Sequence, residues 1–352
     1  QANGFATEAA SSSSNMTSTL HRPLPRGIYT PLPTFFLPSE DVDLDAFATH
    51  VRHVAAAGTV PVVAGSAGEA PHLSADERTQ LIKTARSSLD EGGLQHVPIV
   101  AGIGAPSTRE TIELAKKAEA AGADYAMVLP PGYYGGQLGS PAGRLALTKF
   151  FVDVAEASPL PVILYNFPAV SGGIDLDSDL IVDVMKGSDN VVGVKLTCAS
   201  VGKITRINAV VSAPSFMETY PRRRQGDNFK IIDGFIDILL PSIASGAAGA
   251  ISGLPNFAPK TCVKLWQLCG SSPVSEDYNE AQRLQGLLAM ADGACQRIGI
   301  AGLKMLVHMV LGHSELPRRP LLPMSKEQGQ ELVSLDAIQA VMEEEHRLTK
   351  EL

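Results

Sequence analysis

Short apolar runs alternate with amphipathic stretches along most of the chain, and this alternation limits the fold more than any other feature. The runs have the length of strands, and the stretches between them carry apolar residues at helical spacing. Strand followed by helix, repeated about eight times over about 240 residues, predicts a (β/α)8 barrel, with a doubly wound open sheet as the alternative. The runs are residues 28–36, 60–67, 97–104, 125–131, 161–168, 191–197, 229–235 and 249–256, and the clearest helical stretches are residues 44–57, 74–89, 108–121, 144–157 and 177–186.

Both ends of the chain lack this alternation. The first 26 residues are rich in Ser, Ala and Thr and have no long apolar run, so we expect disorder there and no secretory signal. After about residue 272 the strand pattern stops, and helices are predicted over residues 276–298, 301–311 and 325–348. The predicted regions are a disordered segment (1–26), a barrel (27–272) and a helical region (273–352).

Composition excludes several classes of partner. A net charge of −8 and a pI near 5.5 disfavour nucleic acid and anionic membranes, and no apolar segment is long enough to span a membrane. The only dense basic run, residues 222–224, is interpreted as a solvated loop. Four cysteines without a C-x-x-C pair indicate free thiols in a reducing compartment. The predicted location is the cytosol, with the mitochondrion as the alternative.

The apolar run at residues 191–197 contains a lysine, Lys195. Successive side chains of a strand point to opposite faces, so Val192, Val194 and Leu196 are predicted to face the helices. Lys195 and Thr197 then face the interior of the barrel. A buried, unpaired ammonium is costly and the amine tends to lose its proton, which is the setting of a Schiff-base nucleophile. The alternative is a lysine at a strand end that extends to solvent or pairs with a carboxylate.

The predicted strand ends, where barrel enzymes place their chemistry, hold this lysine, several hydroxyls and glycine backbone, but no histidine. This inventory is typical of carbanion chemistry on a carbonyl group. Other patterns are weaker. Gly102 and Gly104 begin a dinucleotide-binding fingerprint that lacks its third glycine, and the surroundings of Ser66 miss the hydrolase pattern G-x-S-x-G by one residue. His50 and His53 share a helix face without a third ligand, so we interpret them as a solvated face and predict no metal.

Four spaced motifs, in residues 65–69 with 73–74, 107–110, 165–168 and 193–195, make the chain recognisable. From about Gly27 to the last helices it resembles the dihydrodipicolinate synthase and N-acetylneuraminate lyase superfamily of class I aldolases. The resemblance implies a barrel that forms an imine between pyruvate and Lys195, without metal or organic cofactor. It also implies a homotetramer built as a dimer of dimers.

The resemblance assigns roles to individual residues. Tyr165, in the Y-N-x-P motif, would relay protons, and Ser66 and Ala67 would hold the carboxylate of the oxo acid, with Ser66 also in the relay. Tyr133 or Tyr134 would complete the relay across a dimer interface. The pyruvate pocket would also be lined by Gly234, Ile251 and Thr197.

Departures from the family pattern carry the information on substrate. Ser66 and Ala67 replace two threonines of the synthases, and Val170 replaces an arginine that holds aspartate semialdehyde. The chain therefore looks closer to 4-hydroxy-2-oxoglutarate aldolases and fungal 2-keto-3-deoxy-sugar-acid aldolases, which release pyruvate plus glyoxylate or glyceraldehyde. The alternatives are dihydrodipicolinate synthase activity and a non-catalytic barrel that binds a keto acid. Residues 213–228 are interpreted as an exposed insertion.

Overall fold

Eight short and almost entirely buried strands pair in parallel and close into a barrel, in the order β1 to β8. The computed structural model describes residues 21–350. The closed barrel confirms the predicted (β/α)8 fold over the open sheet. The strands are β1 (Gly27–Pro31), β2 (Val60–Val63), β3 (Val100–Gly102), β4 (Tyr125–Val128), β5 (Val162–Asn166), β6 (Val191–Leu196), β7 (Lys230–Asp233) and β8 (Gly249–Ile251).

Helices surround the barrel and continue beyond it. Around the barrel lie α1 (Leu44–Ala56), α2 (Ala75–Glu91), α3 (Thr108–Ala120), α4 (Gly135–Leu138), α5 (Arg144–Ala157), α6 (Ser178–Gly187), α7 (Val201–Val211), α8 (Pro214–Thr219), α9 (Leu239–Ala244) and α10 (Pro259–Leu268). The C-terminal region contains α11 (Glu276–Gln296), α12 (Gly299–Leu311), α13 (Lys326–Val333) and α14 (Asp336–Lys350). Within residues 21–350 no helix combines the length and the apolar character that crossing a membrane requires.

Each strand is shorter than its apolar run, because the run continues into the loop at the carboxyl end of the strand. Residues 64–67, for example, belong to the second run but lie in the turn after β2. The starts of the helices agree more closely with the sequence. Ser74 and Glu77 form a capping box at α2, and the Ser107 hydroxyl accepts a hydrogen bond from the amide of Glu110 at α3.

Two apolar clusters divide the core. The inner cluster fills the barrel and includes Tyr29, Val62, Tyr125 and Ile163. A larger outer cluster lies between the strands and the helices. Of the predicted disordered segment, residues 1–20 lie outside the described residues, and Leu24 is buried in the inner cluster.

Strand β6 carries an irregularity that the alternation of its residues did not indicate. Its pairing with β5 shifts by one residue between Val162 and Ile163. Val192 consequently lies in the inner cluster, whereas Val194 and Leu196 lie in the outer one. The predicted outward direction of Val192 is wrong, because an extra residue in one strand reverses the alternation. After the bulge the predicted alternation is correct.

The basic run at residues 222–224 is only partly a solvated loop. Arg222 is 8% exposed, and its Nη1 donates to the carbonyl oxygens of Met185, Ser188 and Val191 at 2.9–3.1 Å. Its interpretation as a solvated residue is wrong, because the guanidinium caps carbonyl groups at the end of α6 and the start of β6. The surrounding insertion is not wholly exposed either, since α8 buries Phe216.

The predicted solvated histidine face on α1 is also wrong for its first member. His50 is fully buried, and its Nε2 lies 2.9 Å from Oδ1 of Asn256. Burial lowers the pKa of His50 to about 3, so the ring is neutral at physiological pH. His53 is half-buried, with its ring centroid 6.2 Å from that of His50.

The C-terminal region is helical as predicted, with one break. The single helix predicted over residues 325–348 is instead two helices, α13 and α14, separated at Ser334 and Leu335. The two halves pack against different neighbours, since α13 contacts α12 while α14 contacts α10 and α11.

Candidate active site

Lys195 and Tyr165 lie side by side on β6 and β5, where they are register partners near the carboxyl ends of the strands. Both side chains are buried, with exposures of 5% and 2%. The Nζ atom of Lys195 lies 4.1 Å from the ring centroid of Tyr165. Among the described residues no carboxylate forms an ion pair with this lysine. The amine can therefore react without first breaking an ion pair.

The turn after β2 brings a hydroxyl to the same place. Ser66 Oγ lies 3.4 Å from the hydroxyl oxygen of Tyr165, which makes a long, weak hydrogen bond. The turn is closed by hydrogen bonds from the amide of Gly68 to the carbonyl of Gly65 and from the amide of Glu69 to that of Ser66, both 3.1 Å. The amides of Ser66 and Ala67 have no acceptor within residues 21–350. Two adjacent free amides form a site that suits a carboxylate.

The predicted pocket residues on β6, β7 and β8 also lie at these strand ends. Gly234 packs so closely on Thr197 that a Cβ atom added to it would lie 2.1 Å from Thr197 Oγ1. The hydroxyls of Thr197 and Ser252 are buried without a hydrogen-bond partner in the described part of the chain. Ile251 belongs to the inner cluster. Sequence analysis did not single out Ser252, although it follows directly on β8.

Tyr133 and Tyr134 lie farther out, in a short turn after β4. Their exposures are 86% and 64%, and their ring centroids lie 5.1 Å apart in an edge-to-face arrangement. A Cβ atom added to Gly132 would lie 2.7 Å from the backbone of Ser171, so the turn rests directly on the loop after β5. No hydrogen bond joins either tyrosine to Tyr165 among residues 21–350. Their part in the proton relay stays a prediction.

A cavity of about 570 Å³ opens at this end of the barrel. Ser66, Tyr165 and Val170 form parts of its wall, and the loops after β2, β3 and β4 form most of the rest. The C-terminal region contributes Ile300 and Leu321. The helical region therefore takes part in shaping the cavity, which its sequence did not reveal.

Three ionisable side chains of the cavity wall, Glu69, His72 and Arg78, are already engaged. Arg78 donates from Nη1 and Nη2 to two backbone carbonyl oxygens, at 3.2 and 2.7 Å. His72 Nδ1 lies 3.0 Å from a carboxylate oxygen of Glu69. The remaining charged group in the wall is the carboxylate of Glu110. Among the described residues of the wall, the cation open to a second anionic group on a ligand is Arg78, which already donates to two carbonyl oxygens and interacts with the carboxylate of Glu110.

The asparagine of the Y-N-x-P motif has a structural role that the sequence did not show. Asn166 Nδ2 donates to Asp175 Oδ1 at 2.7 Å, and Asn166 Oδ1 accepts from the amide of Leu176 at 2.8 Å. The buried Lys203 binds the same carboxylate oxygen of Asp175 at 2.5 Å. These contacts fix the loop after β5, which carries Val170 into the cavity wall.

Comparison with known protein families shows to which family the chain belongs. Residues 24–339 match the model of the dihydrodipicolinate synthetase family. The chain belongs to this family. Its membership confirms the resemblance found in the motifs.

Similar proteins share most of its length. It is 40% identical over 300 residues to the L-threo-3-deoxy-hexylosonate aldolase of Hypocrea jecorina, covering 85% of this chain and 90% of that protein. It is 39% identical over 310 residues to the "Probable 4-hydroxy-2-oxoglutarate aldolase, mitochondrial" of Emericella nidulans, covering 88% and 93%. The family and these aldolase relatives identify the chain as a carbon–carbon lyase, as predicted.

Solved structures of the same family superpose on the barrel. A family member from Coccidioides immitis has a TM-score of 0.76 at 35% identity, covering 92% of this chain and 98% of that one. YagE of Escherichia coli K12, a family member solved in complex with pyruvate, has a TM-score of 0.75 at 26% identity with the same coverage.

Proposed function

We propose that the protein is a class I aldolase that reversibly cleaves a 4-hydroxy-2-oxo acid to pyruvate and an aldehyde, through an imine with Lys195. The observation that carries the proposal is the convergence of three groups at the strand ends. They are the buried Lys195 amine, the Tyr165 hydroxyl beside Ser66, and the free amides of Ser66 and Ala67. Aldolase relatives over most of the chain support this reaction over the synthase alternative.

Imine formation uses these groups in sequence. The substrate carboxylate binds the amides of Ser66 and Ala67, which places the C2 carbonyl near the lysine. The neutral amine of Lys195 attacks C2, and Tyr165 supplies a proton to the departing hydroxyl so that water leaves. The protonated imine that results carries a positive charge next to C3. The covalent imine polarises the substrate, so the mechanism uses no metal or organic cofactor.

Cleavage follows from the same arrangement. Tyr165 accepts the proton of the C4 hydroxyl, the C3–C4 bond breaks, and its electron pair moves to the iminium nitrogen as an enamine. The aldehyde leaves with C4. Protonation at C3 and hydrolysis of the imine then release pyruvate and restore Lys195. The unpartnered hydroxyl of Thr197 is a further hydrogen-bond partner for the bound oxo acid.

The cavity wall favours a neutral aldehyde. Val170 is half-exposed in this wall, where the synthases resembled here carry an arginine. Arg78 and His72 are hydrogen-bonded to other groups of the protein, and Glu110 adds a negative charge. We therefore propose a 3-deoxy-hexulosonate, which releases glyceraldehyde, as a better substrate than 4-hydroxy-2-oxoglutarate, whose second carboxylate would have to compete with two carbonyl oxygens and Glu110 for Arg78.

Steady-state cleavage of both substrates, with pyruvate released as the readout, tests this choice. We expect the kcat/KM of the hexulosonate to exceed that of 4-hydroxy-2-oxoglutarate by about ten-fold or more. The Val170→Arg variant should shift this ratio towards the dicarboxylate, and Val170→Leu serves as an apolar control. A higher kcat/KM for 4-hydroxy-2-oxoglutarate in the wild type would refute the assignment. Synthase activity with aspartate semialdehyde would refute the aldolase reading.

The assembly and the location are also proposals. The exposed ring pair of Tyr133 and Tyr134 supports a tight dimer interface within a homotetramer, as the family resemblance implies. The cytosol stays the predicted location. The mitochondrion is the alternative, and the Emericella nidulans relative carries that location in its name.

A further inference from the structure

A buried carboxylate closes the turn that carries Ser66. Glu69 is 1% exposed and adopts a left-handed backbone conformation, with φ of 55°. Such a conformation is unfavourable for a residue other than glycine and persists only where the surroundings hold it. A buried carboxylate is likewise costly unless its oxygens are paired. The contacts of Glu69 therefore decide whether this turn keeps its shape.

The first partner of the Glu69 carboxylate is Lys304, on helix α12 of the C-terminal region. The Lys304 Nζ atom lies 2.5 Å from Glu69 Oε1, and both side chains are fully buried. The same ammonium donates to the carbonyl oxygen of Leu316 at 2.8 Å and lies 4.4 Å from the ring centroid of Phe36. Burial lowers the pKa of Lys304 to about 8, and the carboxylate of Glu69 opposes this decrease.

The second partner of the Glu69 carboxylate is Arg318, in the segment between α12 and α13. The amide of Arg318 donates to Glu69 Oε2 at 2.9 Å. The guanidinium holds the segment in place by pairing with Glu77 and by donating to the carbonyl oxygen of His72 at 2.7 Å. Three residues later in this segment, Leu321 enters the cavity wall.

These contacts join the C-terminal region to the turn that carries the free amides of Ser66 and Ala67. We propose that Lys304 and Arg318 are positioning residues, which hold the oxo-acid-binding turn in its active geometry through Glu69. The inference rests on the proposed function, because it assumes that the amides of Ser66 and Ala67 bind the oxo-acid carboxylate. Neither residue contacts Lys195 or Tyr165 in the described part of the chain. Their loss should therefore weaken substrate binding more than it slows the chemistry.

The test is titration of the full-length protein with pyruvate, followed by borohydride reduction and measurement of the adduct at Lys195 by mass spectrometry. In Lys304→Met, which leaves Oε1 of the buried Glu69 without its ion-pair partner, we expect the half-saturating pyruvate concentration to rise about ten-fold or more. The amount of adduct at saturation should stay close to that of the wild type. The double variant Glu69→Gln/Lys304→Met should recover part of the loss, because it removes the unpaired charge.

Arg222→Met is the matched control, since it also removes a buried cation but lies near the amino-terminal end of β6, away from the cavity. It should lower thermal stability without changing half-saturation. If Lys304→Met does not fold, Glu69→Gln alone provides the test, with a smaller rise expected. Half-saturation equal to that of the wild type in the folded variants would overturn the positioning role. A wild type that forms no adduct would instead overturn the proposed function.

Discussion

Removal of one oxygen atom, in Tyr165→Phe, separates the chemistry of this site from its stability. The variant keeps the ring over which the Lys195 Nζ atom lies at 4.1 Å, and it removes the hydroxyl that faces Ser66. Among residues 21–350 that hydroxyl makes one hydrogen bond, of 3.4 Å, which is longer than a normal O–H···O bond. Its loss should therefore cost less than about 1 kcal/mol of unfolding free energy.

The effect on catalysis should be much larger. A positioned proton donor and acceptor contributes about 10²- to 10⁴-fold to a rate, which corresponds to about 3–5 kcal/mol of activation free energy. We expect kcat for cleavage of the oxo acid to fall by this factor, with the melting temperature almost unchanged. The half-saturating concentration of pyruvate in borohydride trapping should change little, because the free amides of the turn remain.

Tyr125→Phe is the matched control for this prediction. Tyr125 also lies in the inner cluster, and its hydroxyl donates to the carbonyl oxygen of Arg22 at 2.9 Å, away from the cavity. This variant should lose about 1 kcal/mol of stability and keep its kcat. A Tyr165→Phe enzyme with kcat within about five-fold of the wild type would refute the relay through this hydroxyl.

Three further predictions concern buried residues around the site and elsewhere in the fold. Arg222→Met should lower the unfolding free energy by about 2–4 kcal/mol, whereas Arg223→Met, which loses exposed ion pairs, should cost less than about 1 kcal/mol in denaturant titrations. Gly234→Ala should reduce pyruvate adduct formation by about ten-fold or more, because the added methyl group overlaps Thr197. Burial raises the pKa of Asp292 to about 7. Between about pH 4 and pH 7 the native state therefore holds a proton that the unfolded state releases. The free energy of unfolding should fall as the pH rises through this range. Asp292→Asn should therefore melt several degrees above the wild type near pH 8 but not near pH 4.5, and an equal difference at both pH values would contradict this.

The barrel could be predicted from the sequence because its signals are local. Each strand is an apolar run, and the helix that follows has its own pattern and, at Ser74 and Ser107, its own cap. The inward direction of the Lys195 side chain on β6 was predicted correctly, because the alternation of side chains along a strand depends only on neighbouring residues. The same reasoning gave the wrong direction for Val192, because a bulge in the pairing with β5 reverses the alternation there. Nothing within the sequence of β6 indicates that bulge.

The missed features depend on contacts between distant parts of the chain. A basic run on the surface and a basic run that caps buried carbonyl groups look alike in a sequence. The burial of Arg222 is decided by α6 and β6, more than 30 residues earlier. The carboxylate of Glu69 meets the amide of Arg318 across 249 residues. The family motif marks Glu69 as part of the turn, but only the fold shows what holds it.

The central claim is that Lys195 forms a covalent imine with pyruvate. The most direct test is to incubate the protein with pyruvate and borohydride and to locate the reduced adduct by peptide mass spectrometry, with Lys195→Ala as the control. The account predicts one adduct, on Lys195, that is absent from the variant. No adduct, or adducts scattered over exposed lysines in both proteins, would contradict it and favour a barrel that binds an oxo acid without reacting.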